Sequence, residues 1–364
     1  MGEGLLGNKR KQAFCFYKER GGGIVTIKEI AAATGVSPTT VANVVHERRE
    51  RMSDETYRKV KEALQSSQYF SNPDGRKRKG SGTGMIAVVI NSESRDAQNV
   101  FLSPFYSEII GAIEKEIRQN GYYMMLYVSA DCDEMLHMIS CQNIDGAILL
   151  SVRSEDIQRT REYLKLPLVF VDAYWEDTEK EYDNVGLQDF EGGYDMTKYL
   201  ISQGHNRIAF MSDEKRLTGV NYERYEGYKK ALEENGSFHA DEDYYCLPLE
   251  KNIRHEMLRQ FCKKDLKKYT AVFFVADYYA MDAMEVFESQ KVRVPEDVSV
   301  AGFDDNTYAR RCHPKLTTMR QNTSEKGSVA VTQLLKLVND EKNMLHNLRL
   351  PAELIVRGSV ARPR

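Results

Sequence analysis

From Met85 onward, short apolar runs alternate with amphipathic stretches of helix length, and this alternation restricts the fold more than any other feature. Strands are expected at 85–90, 122–128, 146–150, 168–171, 207–211, 271–275 and 298–303, and helices at 106–120, 190–203, 224–234, 280–290 and 324–339. Strand followed by helix, repeated, builds parallel sheets covered by helices. There are enough strands for two sheets of moderate size, hence two lobes with a cleft. Open α/β sheets bind ligands beyond the carboxyl ends of their strands.

Polar residues at those ends are therefore candidates for a ligand site. Asp172 follows Leu168-Val169-Phe170-Val171, Asp277 follows Phe273-Phe274-Val275-Ala276, and Asp304-Asp305 follow Val300-Ala301-Gly302-Phe303. Each carboxylate alone could equally cap the helix that comes next. Taken together, and with Arg224 at an expected helix start, they point to a cleft that hydrogen-bonds hydroxyl groups. Trp175, the single tryptophan, and Tyr174 stand just after Asp172; they either stack on a sugar face or pack on the surface.

Ahead of this region, 25–69 is dense in helix signals. Thr26 and Glu29 have capping-box spacing, so a helix is expected from Ile27, and Gly35 is suited to end it with positive φ. Ser37 is the expected N-cap and Pro38 the first residue of a second helix, with Val41, Val44 and Val45 on one face. Ser53, backed by Asp54 and Glu55, opens a third helix carrying Tyr57, Val60 and Leu64. Ala31, Gly35 and Val41 have the spacing of a helix-turn-helix: a small residue at the helix contact, a glycine in the turn, a branched residue between. Three short helices also describe a plain bundle. Against that, Pro38, Thr39, Asn43 and His46 lie off the apolar face, where they reach base edges, and Arg48, Arg49, Arg51, Arg58 and Lys59 are suited to phosphates. Charge agrees. Residues 1–84 hold 16 Lys and Arg against 9 Asp and Glu, a net of +7, whereas the rest carries −10 within a total of −3. A positive head on a negative body suits a polyanion bound by the head, although solvated surfaces also vary in charge.

Other classes fit less well. No apolar run approaches the roughly 18 residues of a membrane span. The basic stretch from Lys9 to Arg20 leads into glycines, not into the apolar core of a secretory signal. The six cysteines (Cys15, Cys132, Cys141, Cys246, Cys262 and Cys312) form neither zinc-type pairs nor a disulfide framework, which suits a cytoplasmic protein. No histidine has metal or triad spacing, and Asp304 and Asp305 point to opposite faces if extended, so neither an enzyme nor a cofactor is expected. A solute-binding protein would need an export signal and no DNA-reading head.

The head resembles that of the lactose-repressor/galactose-repressor (LacI/GalR) family through Thr26-Ile27-Lys28-Glu29-Ile30-Ala31, Gly35-Val36-Ser37 and Thr40-Val41. The similarity continues through Asn143-Ile144-Asp145-Gly146, Gly204-His205-Asn206-Arg207-Ile208-Ala209-Phe210, Arg224-Tyr225-Glu226-Gly227-Tyr228, Val294-Pro295-Glu296-Asp297-Val298-Ser299-Val300, Gly302-Phe303-Asp304-Asp305 and Leu316-Thr317-Thr318. It covers nearly everything after residue 24. The resemblance implies an all-α helix-turn-helix headpiece plus a two-lobed, periplasmic-binding-protein-like α/β domain, with two parallel sheets flanked by helices. It also implies a repressor that binds a pseudo-palindromic double-stranded operator as a homodimer and answers to a small effector, a sugar or sugar derivative. In the family the first, second and sixth residues of the recognition helix read bases. Those are Pro38, Thr39 and Asn43 here, with Asn43 suited to adenine. Thr26, Ser37, Thr40, His46, Arg48, Arg76 and Arg78 complete the candidate DNA contacts. By family position Asp172, Arg224 and Asp304 contact the effector, with Asn91 and Phe105 lining it from the other lobe; Asp277 and Trp175 join them as strand-end candidates.

The chain also departs from the family. The expected hinge, 72–84, has Arg78 where a leucine wedges into the minor groove, and Gly75 in place of an alanine. Arginine suits a narrow minor groove but cannot act as an apolar wedge, so weaker operator bending is expected. Ala276 replaces an asparagine before Asp277, and Asp189-Phe190 replaces an Asp-Asn pair. The effector is thus expected to differ from a common hexose. The stretch 129–143 is shorter than usual and 92–103 longer. The expected organisation is a basic extension 1–23, a headpiece 24–71, the hinge, and an effector and dimerisation domain 85–364. Lobe 1 of that domain is 85–184 with 321–349, and lobe 2 is 185–320 with 350–364. The extension either adds phosphate contacts or is inert. No apolar heptad tail follows Leu354-Ile355-Val356-Arg357, so a dimer is expected rather than a tethered tetramer. A partner protein docking on the lobes as corepressor is a further arrangement open to such a chain.

Overall fold

Three helices form in the headpiece where caps and turn residues direct them: α1 (Ile27–Thr34), α2 (Pro38–Val45) and α3 (Asp54–Ser66). Gly35 takes φ +70°, and its N–H and that of Val36 bond back to the Ala31 carbonyl at 2.9 and 3.1 Å, closing α1. Ser37 Oγ accepts the Thr40 N–H at 3.1 Å, and Ser53 Oγ accepts that of Thr56 at 3.2 Å, so α2 and α3 both begin on serine caps. Ile30, Ala31, Val41, Val44, Tyr57 and Val60 form the buried core. Each large aliphatic side chain there contributes about 1.5–3 kcal/mol by leaving water.

This computed structural model describes residues 27–45, 48, 52–66, 82–91, 97–174, 182–213, 215, 217–238, 240–341 and 346–364. The chain divides into two compact units, Met1–Lys77 and Arg78–Arg364. The expected bend-weakening hinge residues Gly75, Arg76 and Arg78, and the extension 1–23, lie outside the described residues.

The second unit holds two six-stranded sheets. In chain order its elements are β1 (Met85–Asn91), α4 (Pro104–Gln119), β2 (Tyr123–Ser129), α5 (Cys132–Ser140), β3 (Gly146–Leu150), α6 (Ser154–Tyr163), β4 (Leu168–Val171), β5 (Asn184–Leu187) and α7 (Asp189–Ser202). There follow β6 (Ile208–Ser212), α8 (Gly219–Glu234), β7 (Tyr244–Cys246), α9 (Lys251–Lys264), β8 (Ala271–Phe274), α10 (Asp277–Ser289), β9 (Ser299–Asp304), α11 (Thr307–Arg311) and β10 (Thr317–Arg320). α12 (Thr323–Val338), β11 (Asn347–Leu350) and β12 (Glu353–Ile355) complete it. The first sheet runs β11-β5-β4-β3-β1-β2 and is parallel throughout. The second runs β12-β10-β9-β8-β6-β7 and is parallel except where β12 returns antiparallel to β10. The chain crosses between sheets after β5, after β10 and after β11. Asp145, in one of the family-like motifs, accepts the Thr83 and Gly84 N–H groups at 2.7 Å and so fixes the entry into β1.

The expected strands and helices all form, with ends shifted by a few residues. Five strands (β5, β7, β10, β11, β12) and four helices (α5, α6, α9, α11) stand where the apolar pattern foretold none. Asn184-Val185-Gly186-Leu187 and Thr317-Thr318-Met319-Arg320 are strands because neighbours pair with them, not through their own hydrophobicity. Because β5 extends to Leu187 and β11 to Leu350, both inside the first sheet, the lobe crossings fall slightly later than 184/185 and 349/350. Among the described residues, no helix is long and apolar enough to cross a membrane.

Candidate functional site

The carboxyl ends of the strands are marked by unusual backbone. Ser151 after β3 (φ 59°), Asp172 after β4 (φ 54°), Asp304 ending β9 (φ 121°) and Asp305 (φ 54°) all have positive φ. Each such residue stores about 1–3 kcal/mol, tolerated where surrounding contacts hold the turn. Here side-chain bonding does so. Lys326, in the first turn of α12 and only 1% exposed, donates to both Asp172 oxygens at 2.8 and 2.9 Å and to Gln321 Oε1 at 2.8 Å. Gln321 Nε2 in turn donates to Asp304 Oδ1 at 2.6 Å. Asp304 Oδ1 is 4.0 Å from Arg224 Nη1, wider than a hydrogen bond.

Arg224 lies against its own lobe. Its Nε donates to buried Asp189 at 2.8 Å, its Nη1 donates to the Val275 carbonyl at 2.8 Å, and the guanidinium lies 3.7 Å above the Phe303 ring. It stands in the second turn of α8, which begins at Gly219, not at the helix start expected from sequence. What puts it there is the crossing of α7 and α8 at backbone contact. A Cβ on Gly193 would sit 2.1 Å from the Arg224 carbonyl, and one on Gly227 would sit 2.0 Å from the Phe190 carbonyl.

The other candidates separate into two groups. Asn91 ends β1 and is buried, and half-buried Phe105 opens α4 with its ring 5.5 Å from Lys326 Nζ, so Phe105 borders the Asp172–Lys326 pair. Asp277 does not cap its own helix: Ala276 is the cap residue, while Asp277 accepts from Thr318 Oγ1 at 2.6 Å and from the Asn306 N–H at 3.0 Å. Both its oxygens thus hold the second lobe together, which also explains the Leu316-Thr317-Thr318 landmark. Asp304 and Asp305 are not extended neighbours, both having positive φ, and they bond to different partners: Asp304 to Gln321, Asp305 to Arg320 Nε at 2.8 Å. Tyr174 is buried, its hydroxyl bonded to the Leu187 backbone and to Asp189, so it is neither a sugar platform nor surface packing. Trp175 lies outside the described residues.

Burial governs the charges. It raises the Asp172 carboxyl, against the pull of Lys326. It pushes Asp304 up to about 6, against Arg224, and raises Asp277 well above the usual carboxylate range, with Asp304 adding to the effect. Lys326 and Gln321 are site residues that sequence reasoning passed over, and Asp189, named there only beside a family departure, is the partner of Arg224. The signal for Lys326 is a lysine on the apolar stripe of α12, in line with Ala330 and Leu334.

In the headpiece Ser37, Pro38 and Thr39 are exposed and Thr40 and Asn43 half-buried, whereas Val41 and Val44 of α2 are buried. Ser37 is committed to its cap and to Thr40 Oγ1 at 2.9 Å. Exposed Arg48 closes on the Asn43 carbonyl through its N–H at 2.8 Å. Thr26, His46, Arg76 and Arg78 lie outside the described residues.

Comparison with known proteins agrees with this division. The lacI family of bacterial regulatory proteins matches residues 26–72, and the periplasmic binding protein-like domain matches 197–360. The HTH-type transcriptional repressor PurR of Pasteurella multocida (strain Pm70) is 30% identical over 354 residues, which span 93% of this chain and 99% of its own. The structure of the transcriptional regulator CelR in complex with cellobiose is 25% identical, with a TM-score of 0.68, covering 92% of this chain and 99% of that one. The lac repressor dimer bound to operator and the anti-inducer ONPF, 23% identical, shares the fold with a TM-score of 0.71 over 93% and 100% of the two chains.

A helix-turn-helix unit followed by a two-lobed α/β unit with polar groups gathered at its strand ends defines a ligand-controlled DNA-binding regulator. The chain belongs to the lacI family of bacterial regulatory proteins. It is a DNA-binding transcriptional regulator with an effector-binding domain, not an enzyme.

Proposed function

We propose that the chain is a repressor that acts as a homodimer on a pseudo-palindromic operator and is controlled by a polyhydroxylated effector, a sugar or sugar derivative, held between the lobes. One observation carries the effector reading: Asp172, Lys326, Gln321, Asp304 and Arg224 form one polar line from the first lobe to the second, broken only at the 4.0 Å gap between Asp304 and Arg224. A ligand hydroxyl beside that gap can accept from the guanidinium while donating to the carboxylate. The half-buried Phe105 ring offers an apolar face nearby. CelR, a relative by fold and sequence, is known with cellobiose, and the lac repressor as a dimer on operator, which supports the same arrangement here.

In this reading Pro38, Thr39, Asn43 and His46 address base edges, Arg78 addresses a narrow minor groove, and Thr26, Ser37, Thr40, Arg48 and Arg76 position the backbone. The effector changes operator affinity only by binding the DNA-competent and incompetent lobe arrangements unequally. Fluorescence anisotropy of the full chain on a labelled fragment from upstream of its own gene, against a scrambled fragment and with panels of sugars and nucleobases, tests both halves. Preferential binding that a sugar alters, and that Arg224→Ala makes insensitive to the sugar while DNA binding persists, is the expected result. A response to nucleobases alone would overturn the sugar assignment. Equal affinity for both fragments would overturn specific readout by α2.

A further inference from the structure

A second cluster of chemistry-bearing groups lies on the second lobe and takes no part in the effector reading. His255 on α9 and Asp282 and Glu285 on α10 bring one ligand atom each to within 4.8 Å of one another. Asp282 and Glu285 are three residues apart, so they share a helix face. Asp282 is 1% exposed, and its two oxygens have different surroundings. Oδ2 is held by the Arg254 Nε and Nη2 groups at 2.9 and 2.6 Å. Arg254 is itself anchored on the Pro248 and Leu249 carbonyls at 2.9 and 2.6 Å. Oδ1 is buried and accepts no hydrogen bond, and His255 Nε2 is likewise buried without a hydrogen-bond partner. The imidazole Nε2 lies 3.7 Å from Asp282 Oδ2, and the exposed Glu285 carboxylate stands at the rim. Buried polar atoms are rarely left so, and the unpaired pair calls for a cation or a donor.

Arg254 is committed to Oδ2, and the cation beside Oδ1 is Lys251. Its ammonium is 3.7 Å from Asp282 Oδ1 and 3.5 Å from Glu285, too far to bond well, and its side chain is 53% exposed and free to withdraw into water.

We propose that His255, Asp282 and Glu285 form a binding site for a divalent transition metal of the zinc class, with Lys251 as the resident cation the metal displaces. The donor set selects the class: imidazole suits zinc, cobalt and their neighbours, whereas magnesium and calcium take oxygen ligands. Three protein ligands leave a fourth position for water. Arg254 holds Asp282 oriented with its free oxygen toward the metal, as outer partners of ligating carboxylates do.

The full-length chain, stripped with chelator and titrated with CoCl2 and then ZnCl2, provides the test. One cobalt per chain should bind, with visible d–d absorption that zinc abolishes. His255→Ala and Glu285→Gln should weaken binding by about tenfold or more, with unchanged circular dichroism; Glu285 is 62% exposed, so its variant leaves the fold intact. Lys251→Gln should bind cobalt several-fold more tightly, because the competing ammonium is gone. Absent cobalt bands, or bands that survive equally in His255→Ala and Glu285→Gln, would overturn the site. Unchanged or weaker binding in Lys251→Gln would overturn the displacement.

Discussion

Lys326 shows at the residue scale how a single side chain organises the cleft. An ammonium 1% exposed is stable only with its charge and its three hydrogens matched, and Asp172 and Gln321 supply that match. Removing one partner leaves the other charge buried alone. Lys326→Met is therefore expected to destabilise the fold by about 3–5 kcal/mol, while Lys326→Met combined with Asp172→Asn should recover much of the loss. Urea denaturation of both variants measures this, and an equal loss in the double variant would show that the pair is not the source. Asp172 and Asp304 were legible as strand-end carboxylates. Their partners were not, because Lys326 and Gln321 reach them across the chain from positions 154 and 17 residues away. A one-dimensional pattern does not encode which helix turn faces which strand end.

Among the elements, the α7–α8 crossing matters most to the site. Gly193 and Gly227 permit backbone contact there, and Arg224 rides on the helix so placed. Gly227→Ala would put a methyl 2.0 Å from the Phe190 carbonyl and 2.6 Å from the Tyr194 nitrogen, forcing the helices apart. A loss of about 1–3 kcal/mol is expected, with weaker effector binding as Arg224 moves away from Asp189 and Phe303. Gly111→Ala, inside α4 with nothing within 4 Å, should instead leave stability unchanged or raise it by about 0.5–1 kcal/mol. Thermal melts of the two variants distinguish close approach from helix propensity. Gly227 stood in the family-like motif Arg224-Tyr225-Glu226-Gly227-Tyr228, so its presence was legible, but the helix it must admit was not.

The α/β unit buries carboxylates at the ends of its strands, and this gives its stability a pH dependence of definite sign. Asp172, Asp277 and Asp304 all have raised carboxyl pKa values, burial being the main cause. A carboxyl raised in the folded state binds its proton more tightly there than when unfolded, so stability falls with rising pH while only the folded form remains protonated. For Asp304 that window runs from its unfolded value of about 3.9 up to about 6. Between those limits the full chain should lose more Tm than Asp304→Asn does, and below them the two should run parallel. Parallel curves throughout would mean that Asp304 titrates normally.

The sequence by itself determined the helix-turn-helix, the alternation that yields two parallel sheets, and the carboxylates at three strand ends. These depend on local signals: caps, periodicity, and the switch from apolar strand to polar turn. Only the tertiary structure decided which short segments became β5, β7, β10, β11 and β12. It also decided that Asp277 is bound within its own lobe, that Tyr174 is buried, and that Lys326 joins Asp172 to Gln321 and Asp304. Those outcomes are set by pairing and burial between segments distant in the chain, where the free energy belongs to the contact and not to either segment alone.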